Sequence, residues 1–188
     1  MAAPSTEFAP RPPSAGQLFV KGKLVRYMAF FAIHVATRKV EILGVNAQPD
    51  GPWMKQIARN VSGEGGFLTG KKYRIHDRDP LYTEKFDSIL KAAGVEPVKL
   101  PPHSPDLNPH AERFVRSVKE ECLALLILSS EEQLRHVLGE YLQYYHHGQI
   151  HQGLHKIIEP QHEGHHGEII CLERLGGLLK SRVLRPGI

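Results

Sequence analysis

KYRIHDRDP at residues 72–80 and SPDLNPHAERF at residues 104–114 decide how this chain is read. In the first stretch, Tyr73 to His76 is a short strand-like run that delivers Asp77 into a turn ended by Pro80. In the second, Asn108 can cap a helix, Pro109 suits its first position, and Glu112 falls in its first turn. Thirty-four residues lie between the two carboxylates. One acid at a strand end and another on a helix suit convergence on a divalent cation, which takes hard oxygen ligands from rigid elements. A plainer reading stands beside this one. Asp77 can simply cap its turn, and Glu112 can simply favour the helix dipole.

Outward from that pair, the elements alternate. Gln17 to Val20 reads as a strand, and Lys21-Gly22-Lys23 as a tight turn. Val25 to His34 is nearly continuous in apolar character, as a strand buried on both faces would be. Lys39 to Val45 follows as a third strand. Asp50-Gly51-Pro52 starts a helix whose inner face is Trp53, Met54, Ile57, Ala58 and Val61, and Gly63 to Gly66 ends it. Thr83 caps a helix through Ala93, with Phe86, Ile89 and Leu90 inward and Gly94 as the stop. Val95 to Leu100 is a short strand. Phe114, Val115, Val118, Cys122 and Leu125 repeat at helical spacing. Another helix starts at Ser129 or Ser130, with Glu132 and Gln133 placed for a capping box. The order predicts an α/β domain with a mixed sheet, an antiparallel meander plus parallel strands, flanked by helices.

The ends read differently. Met1 to Gly16 is rich in Ala, Ser and Pro and is expected to be a disordered leader. Residues 17–158 then form the core. Residues 159–188 form a His- and Gly-rich tail with one short helix expected from Glu168 to Lys180.

With 188 residues the chain fits one domain with a real core, and its net charge of +4 permits a nucleic-acid partner without demanding one. Cys122 and Cys171 lack Cys-x-x-Cys spacing and read as buried thiols of a reducing compartment. No segment has the roughly 20 apolar residues of a membrane helix, and no secretory signal is evident, so a cytoplasmic protein is expected. Most of the twelve histidines lie in the second half. Gly148, Gly153, Gly164 and Gly167 break up the run of His146, His147, His151, His155, His162, His165 and His166, which argues for adventitious metal affinity over a built zinc site. On the Glu112 helix, Arg116 and Lys119 share the face of the carboxylate, while Arg113 points about 100° away. They form either a solvated charged face or a grip on a phosphate backbone, which would be salt-dependent and blind to sequence. Asp79 and Asp106 read as turn residues.

Three stretches together resemble the catalytic core of retroviral integrases and the related bacterial insertion-sequence transposases. HDRDPLYTEKF (76–86) looks like that family's second-Asp segment, NPHAERFVRSVKEE (108–121) like its Glu helix, and YYHHGQIHQGL (144–154) like its closing signature. The resemblance covers roughly Leu24 to Leu179. It implies an RNase H-like fold, metal-dependent DNA strand transfer, Mg²⁺ or Mn²⁺ as cofactor and no other. It further implies DNA as partner, homo-oligomers, and neither a membrane nor a small-molecule substrate. Asp77 and Glu112 would be the catalytic metal ligands, and Arg116 and Lys119 would hold DNA.

One departure matters. The family's first Asp lies about a dozen residues before the position matched by Leu24, which lands on Pro12-Pro13. The window from Phe8 to Val40 contains no Asp or Glu, Glu7 falls in the expected leader, and His34 stands where the family often has Asp. Two dications held with one ligand short should bind weakly, so strand transfer is expected to be absent or severely reduced. The alternative is a non-catalytic DNA-binding or self-associating remnant. No helix-turn-helix or other separate DNA-reading module is evident, and the target DNA is not encoded in any motif here.

Overall fold

The computed structural model describes residues 5–8, 14–20, 23–76, 78–101, 109–151, 154, 156–159 and 167–186. Among the described residues, eight strands and four α-helices run in the order β1 (Ser5–Phe8), β2 (Ser14–Val20), β3 (Lys23–His34), β4 (Val40–Asn46), α1 (Gly51–Ser62), β5 (Tyr73–His76), α2 (Glu84–Ala92), β6 (Glu96–Lys99), α3 (Pro109–Glu121), α4 (Glu131–His147), β7 (Gly167–Arg174) and β8 (Leu179–Pro186). A single 3-10 turn, Leu123–Leu125, separates α3 from α4.

The main sheet is mixed. β3 pairs antiparallel with β4 over Met28 to Ile33 on one edge. On its other edge, β2 lies against Lys23 to Met28 and β1 against Ala32 to His34, in line with each other. Pro10, Pro12 and Pro13 separate those two strands in sequence, and proline has no N–H to donate to a ladder. β1 is also parallel to β5, and β5 is parallel to β6. The mixed α/β sheet read from the element order is therefore present.

Both faces of the sheet are covered, and β3 shows why its sequence is so uniformly apolar. Ala29, Phe31 and Ile33 face α3 and α4, joining Ala111, Phe114, Val118, Leu134, Leu138 and Tyr141 in one core. Phe30 and Ala32 alternate to the other face, where Met54, Ile57, Ala58, Phe86 and Leu90 of α1 and α2 form the second. Trp53 lies edge-on to Phe30 with 5.0 Å between ring centres. Gly44 on β4 accommodates it, since a Cβ there would stand 2.7 Å from the indole.

The helix starts are set by side chains that satisfy the first free N–H groups. Asp50 Oδ1 accepts from Trp53 N at 2.8 Å, Thr83 Oγ1 from Phe86 N at 3.3 Å, and Ser130 Oγ from Gln133 N at 3.2 Å. Gln133 in turn accepts from Ser129 N at 2.9 Å, so of the two candidates Gln133 closes the box. Pro109 is the first residue of α3 as expected, while the capping residue Asn108 and the loop residue Asp106 lie outside the described residues.

Four expectations need correction. The expected disordered leader, residues 1–16, contains β1, which occupies the middle of the sheet, and the start of β2. The core is correspondingly wider than residues 17–158. The expected C-terminal helix is a hairpin, β7 paired antiparallel with β8 from Gly167↔Pro186 to Arg174↔Leu179. Its turn uses Leu175, Gly176 and Gly177 at positive φ, a conformation helices do not use and glycine adopts freely. The tail is also not separate, because Leu179 is buried in the α3–α4 core and Ser181 is buried beside Gly148. Finally, Cys122 is buried but Cys171 is exposed, since alternate residues of β7 face solvent. Among the described residues, no helix is long and apolar enough to cross a membrane.

Candidate active site

β5 ends at His76, and Asp77, the next residue, lies outside the described residues. What brackets it is well defined. Arg74, one turn of the pleat earlier, is fully buried, with its guanidinium carbon 4.3 Å from the ring centre of Tyr82 and 4.4 Å from that of Phe86. Arginine stacks on aromatic faces in this way because its planar cation is weakly hydrated. Arg74 Nη1 pairs with Asp87 Oδ1 at 3.5 Å. His76, also fully buried, meets the Tyr82 ring edge-on at 4.8 Å and stands 3.8 Å from the same carboxylate oxygen. On the far side, Arg78 Nε donates to Leu100 O at 3.1 Å, and Asp79 Oδ1 accepts from Leu81 N at 2.9 Å. Asp79 is thus the turn residue its sequence suggests.

Glu112 is exposed in the first turn of α3. The opposite side of that helix is anchored. Ala111, Phe114 and Val118 are buried, and Phe114 packs on Phe31 with 4.7 Å between ring centres and on Tyr145 with 5.0 Å. Phe31 is one rung beyond the Ala32↔Phe8 pair, and the parallel register Glu7↔Ile75 continues to put His76 level with Phe8. The start of α3 is therefore pinned to the sheet at the level where β5 ends. From β3 to β5 is two inter-strand spacings, roughly 10 Å.

Arg116 is exposed and Lys119 half-exposed on α3. Neither forms an ion pair among the described residues, and Glu112 and Arg116 do not pair with each other. Their charges face solvent. A second polar group gathers at the end of α4. His146, buried, accepts from Val40 N through Nε2 at 3.0 Å, and burial pulls its pKa down to about 4. His147 Nδ1 lies 2.7 Å from Glu159 O, and His151 Nε2 lies 2.9 Å from Tyr145 O. Lys39 Nζ sits 2.6 Å from Glu159 and holds that carboxyl below its usual range. These imidazoles are engaged in holding the chain together. His155, His162, His165 and His166 lie outside the described residues.

His34, which stands where the resembling family often has Asp, is buried, and its Nδ1 lies 2.8 Å from Thr37 Oγ1. Burial, then the nearby Lys71 and Arg38 charges, lower its pKa, so it brings no anion to the sheet end. Among the described residues, no group of three or more His, Cys, Asp or Glu is placed to hold a metal ion. The donor available on α3 does suit a hard dication, since Glu112 is an accessible carboxylate with no ion-pair partner among those residues.

Sequence reasoning passed over Arg74 and Asp87. A charged residue at an inward position of a four-residue strand was the available signal. It also passed over the sheet position of Glu7, for which local sequence carries no signal at all.

Residues 93–157 match the Integrase core domain family. That segment, about a third of the chain, holds α3 with Glu112 and the 144–154 signature and begins after Asp77. No curated protein matches the chain in sequence. Among solved structures, the simian T-cell lymphotropic virus intasome in complex with PP2A regulatory subunit B56 gamma is similar, at TM-score 0.59 and 10% identity. The match covers 95% of this chain and 65% of that one, so this chain spans less than two thirds of that relative. The HTLV-2 integrase catalytic core domain, in a trimeric form with magnesium, gives TM-score 0.54 at 10% identity over 82% of this chain and 92% of that one. The catalytic core domain of BIV integrase gives 0.54 at 13% identity over 82% and 91%. The fold is that of integrase catalytic cores, RNase H-like, as the resemblance implied.

Proposed function

We propose that this chain is an integrase- or transposase-like protein that binds DNA along α3 and holds a divalent cation between Asp77 and Glu112, with strand transfer impaired. The observation that carries the reading is the packing of Phe114 on Phe31, which supports a shared level of the sheet for the start of α3 and the end of β5. Glu112 and Asp77 would offer hard carboxylate oxygens from rigid elements. Arg116 and Lys119, unpaired among the described residues, would take backbone phosphates on the same helix face. Bound Mg²⁺ or Mn²⁺ would supply electrostatic stabilisation of the oxygens exchanged at phosphorus. Self-association fits the same reading, since the HTLV-2 relative is a trimeric form.

The proposed impairment is argued from the third corner, the acid that the family resemblance calls for upstream. The acid carried by β1 is Glu7, whose backbone is in register with Ile75, and the window from Phe8 to Val40 supplies no other carboxylate. A neutral His34 does not compensate.

The test is Mn²⁺- and Mg²⁺-dependent nicking and joining of labelled DNA by the purified protein, alongside DNA binding. The expectation is salt-sensitive DNA binding with little or no turnover. Robust turnover abolished by Asp77→Asn would overturn the impairment, and loss of it on Glu7→Gln would identify Glu7 as the replacement ligand. Absence of both DNA and metal binding would overturn the whole reading.

A further inference from the structure

We propose that the open face of the β5–β6 ladder is a stacking shelf for an unpaired base of single-stranded DNA, with Tyr73 as the ring that receives it. The inference rests on the reading of α3 as a grip on the DNA backbone. Ile33 is in register with Glu7, Glu7 with Ile75, and Ile75 with Val98. Residues paired across a sheet share a face, and Ile33 faces α3 and α4. Ile75 and Val98 therefore lie on that face, and so does Tyr73, two residues before Ile75. Burial fades along this row. Ile33 is fully buried, Ile75 is half-buried, and Val98 is 40% exposed. Tyr73 is 41% exposed, and its side chain has no ring or hydrogen-bond partner among the described residues.

The helical layer stops short because of how it packs. α4 lies along β4, where His146 meets Val40 N and Arg135 meets Val45 O. α3 leans on α4 through Phe114, which touches Tyr141 and Tyr145 as well as Phe31 of β3. Both helices are thus committed to the β4–β3 half of the sheet, which leaves Tyr73 and Val98 uncovered. At about 100° per residue, Glu112 and Arg116 point roughly 160° from Phe114, on the flank away from α4 and on the β5 side.

Charge and size select the occupant. Lys71 and Lys72 precede Tyr73, Arg116 and Lys119 stand on the α3 flank, and none of the four has an ion-pair partner among the described residues. Of the acids nearby, Glu96 is engaged by Lys91 at 3.5 Å and Glu112 is exposed. An exposed ring among cations suits a polyanion whose bases each present a flat π-face. Bases in a duplex already stack on their neighbours, so the ring selects an unpaired one. A second copy of this chain fits poorly. Two strands of four residues span roughly 13 Å by 5 Å, on the order of a tenth of the ~800 Å² per partner that a stable interface buries.

The test is the fluorescence of aminopurine in a single-stranded oligodeoxynucleotide titrated with the full chain, with a blunt duplex of the same sequence for comparison. Stacking on Tyr73 should quench the probe in the single strand. Tyr73→Leu keeps apolar volume and removes the ring, and at 41% exposure the fold should persist. Single-strand binding should weaken about fivefold to a hundredfold. Duplex binding should stay within about twofold, and the salt slope should not change because no charge is lost. Tyr73→Phe should bind like the parent, which separates a stacked ring from a hydrogen-bonding hydroxyl. Equal single-strand affinity in the parent and Tyr73→Leu overturns the proposal, and so does an equal loss on the duplex. If Tyr73→Leu does not fold, ultraviolet crosslinking of an iodouracil-substituted strand to the parent replaces it. A crosslink at Tyr73 supports the shelf, and crosslinks confined to other residues overturn it. Arg116→Gln run in parallel separates the two ideas. If it leaves DNA binding and its salt slope unchanged, or if the parent binds no DNA, the grip on α3 falls and the shelf with it. If binding depends on Arg116 but ignores Tyr73, only the shelf is wrong.

Discussion

His146 in the last turn of α4 accepts a hydrogen bond from the backbone N–H of Val40, the first residue of β4, at 3.0 Å across 106 positions of chain. Accepting through Nε2 requires an unprotonated ring nitrogen. Burial lowers the pKa first, Glu159 opposes it, and His147, Lys39 and His151 reinforce it, leaving the value at about 4 against an unfolded value of 6.5. The folded pKa is depressed, so this contribution is complete above about pH 6.5 and is lost as pH falls from there toward 4. The expected size is up to about 3 kcal/mol. His146→Gln keeps an acceptor and removes the titration. Chemical denaturation at pH 7 and pH 4.5 should show a smaller acid loss in that variant; an unchanged loss would assign the acid sensitivity to His34, His110 and His151, whose pKa values burial also lowers.

Gly148 sits where α4 meets the C-terminal hairpin, and a Cβ there would stand 2.5 Å from Ser181 Cβ and 3.1 Å from Tyr144 O. Gly148→Ala should cost about 1–3 kcal/mol by overpacking. Amide exchange should accelerate across Gly167–Pro186 and stay unchanged in α1 and α2. Ser181→Gly should relieve much of the effect, and failure to do so would mean the hairpin does not seat on Gly148.

Phe114 touches Phe31, Tyr141 and Tyr145 and has 2% of its surface exposed. Truncation leaves a cavity that these rings cannot fill without breaking their own packing, so Phe114→Ala should destabilise the fold by about 3–5 kcal/mol. Urea titration checks it. A loss under 1 kcal/mol would show that α3 is not anchored through this contact, and the shared level inferred for the start of α3 and the end of β5 would lose its support.

If Arg116 and Lys119 take phosphates, each neutral replacement should reduce the slope of log K against log salt by about 0.9 and weaken binding alike for all DNA sequences. Arg116→Gln and Lys119→Gln are the variants. Arg135→Gln serves as the control, because Arg135 is already bound to Glu131 and to Val45 O. Equal slopes in all three would return the α3 face to the status of a solvated helix surface.

Local chemistry explains which parts of the fold were readable beforehand. Asp50, Thr83 and Ser130 announce their helices because a cap is a contact within three residues. β3 announces its two-sided burial because both faces are written into consecutive positions. β1 has only four residues beside a run of prolines, and its partners lie on distant β3 and β5, so nothing nearby in sequence marks it. Ile169, Ile170 and Leu172 suit either period, so the local pattern there fits the expected helix as well as the hairpin that forms. The Gly176-Gly177 pair was the better guide, given the exposed Ile169, Cys171 and Glu173 alternating with half-buried neighbours. Within the site, Glu112 could be phased from its own helix. The Arg74–Asp87 pair joins two elements, and no periodicity within either one reveals it.

Because β1 lies between β3 and a parallel partner as late as β5, a ribosome must deliver more than a third of these residues before the middle of the sheet can shut. Until then the second edge of β1, the one that takes β5, stands open on the nascent chain, and closure waits on a long-range encounter of the slow kind. Yield in a cell should therefore respond to translation speed and to chaperones that shield growing polypeptides, far more than the finished molecule's compact interior would suggest.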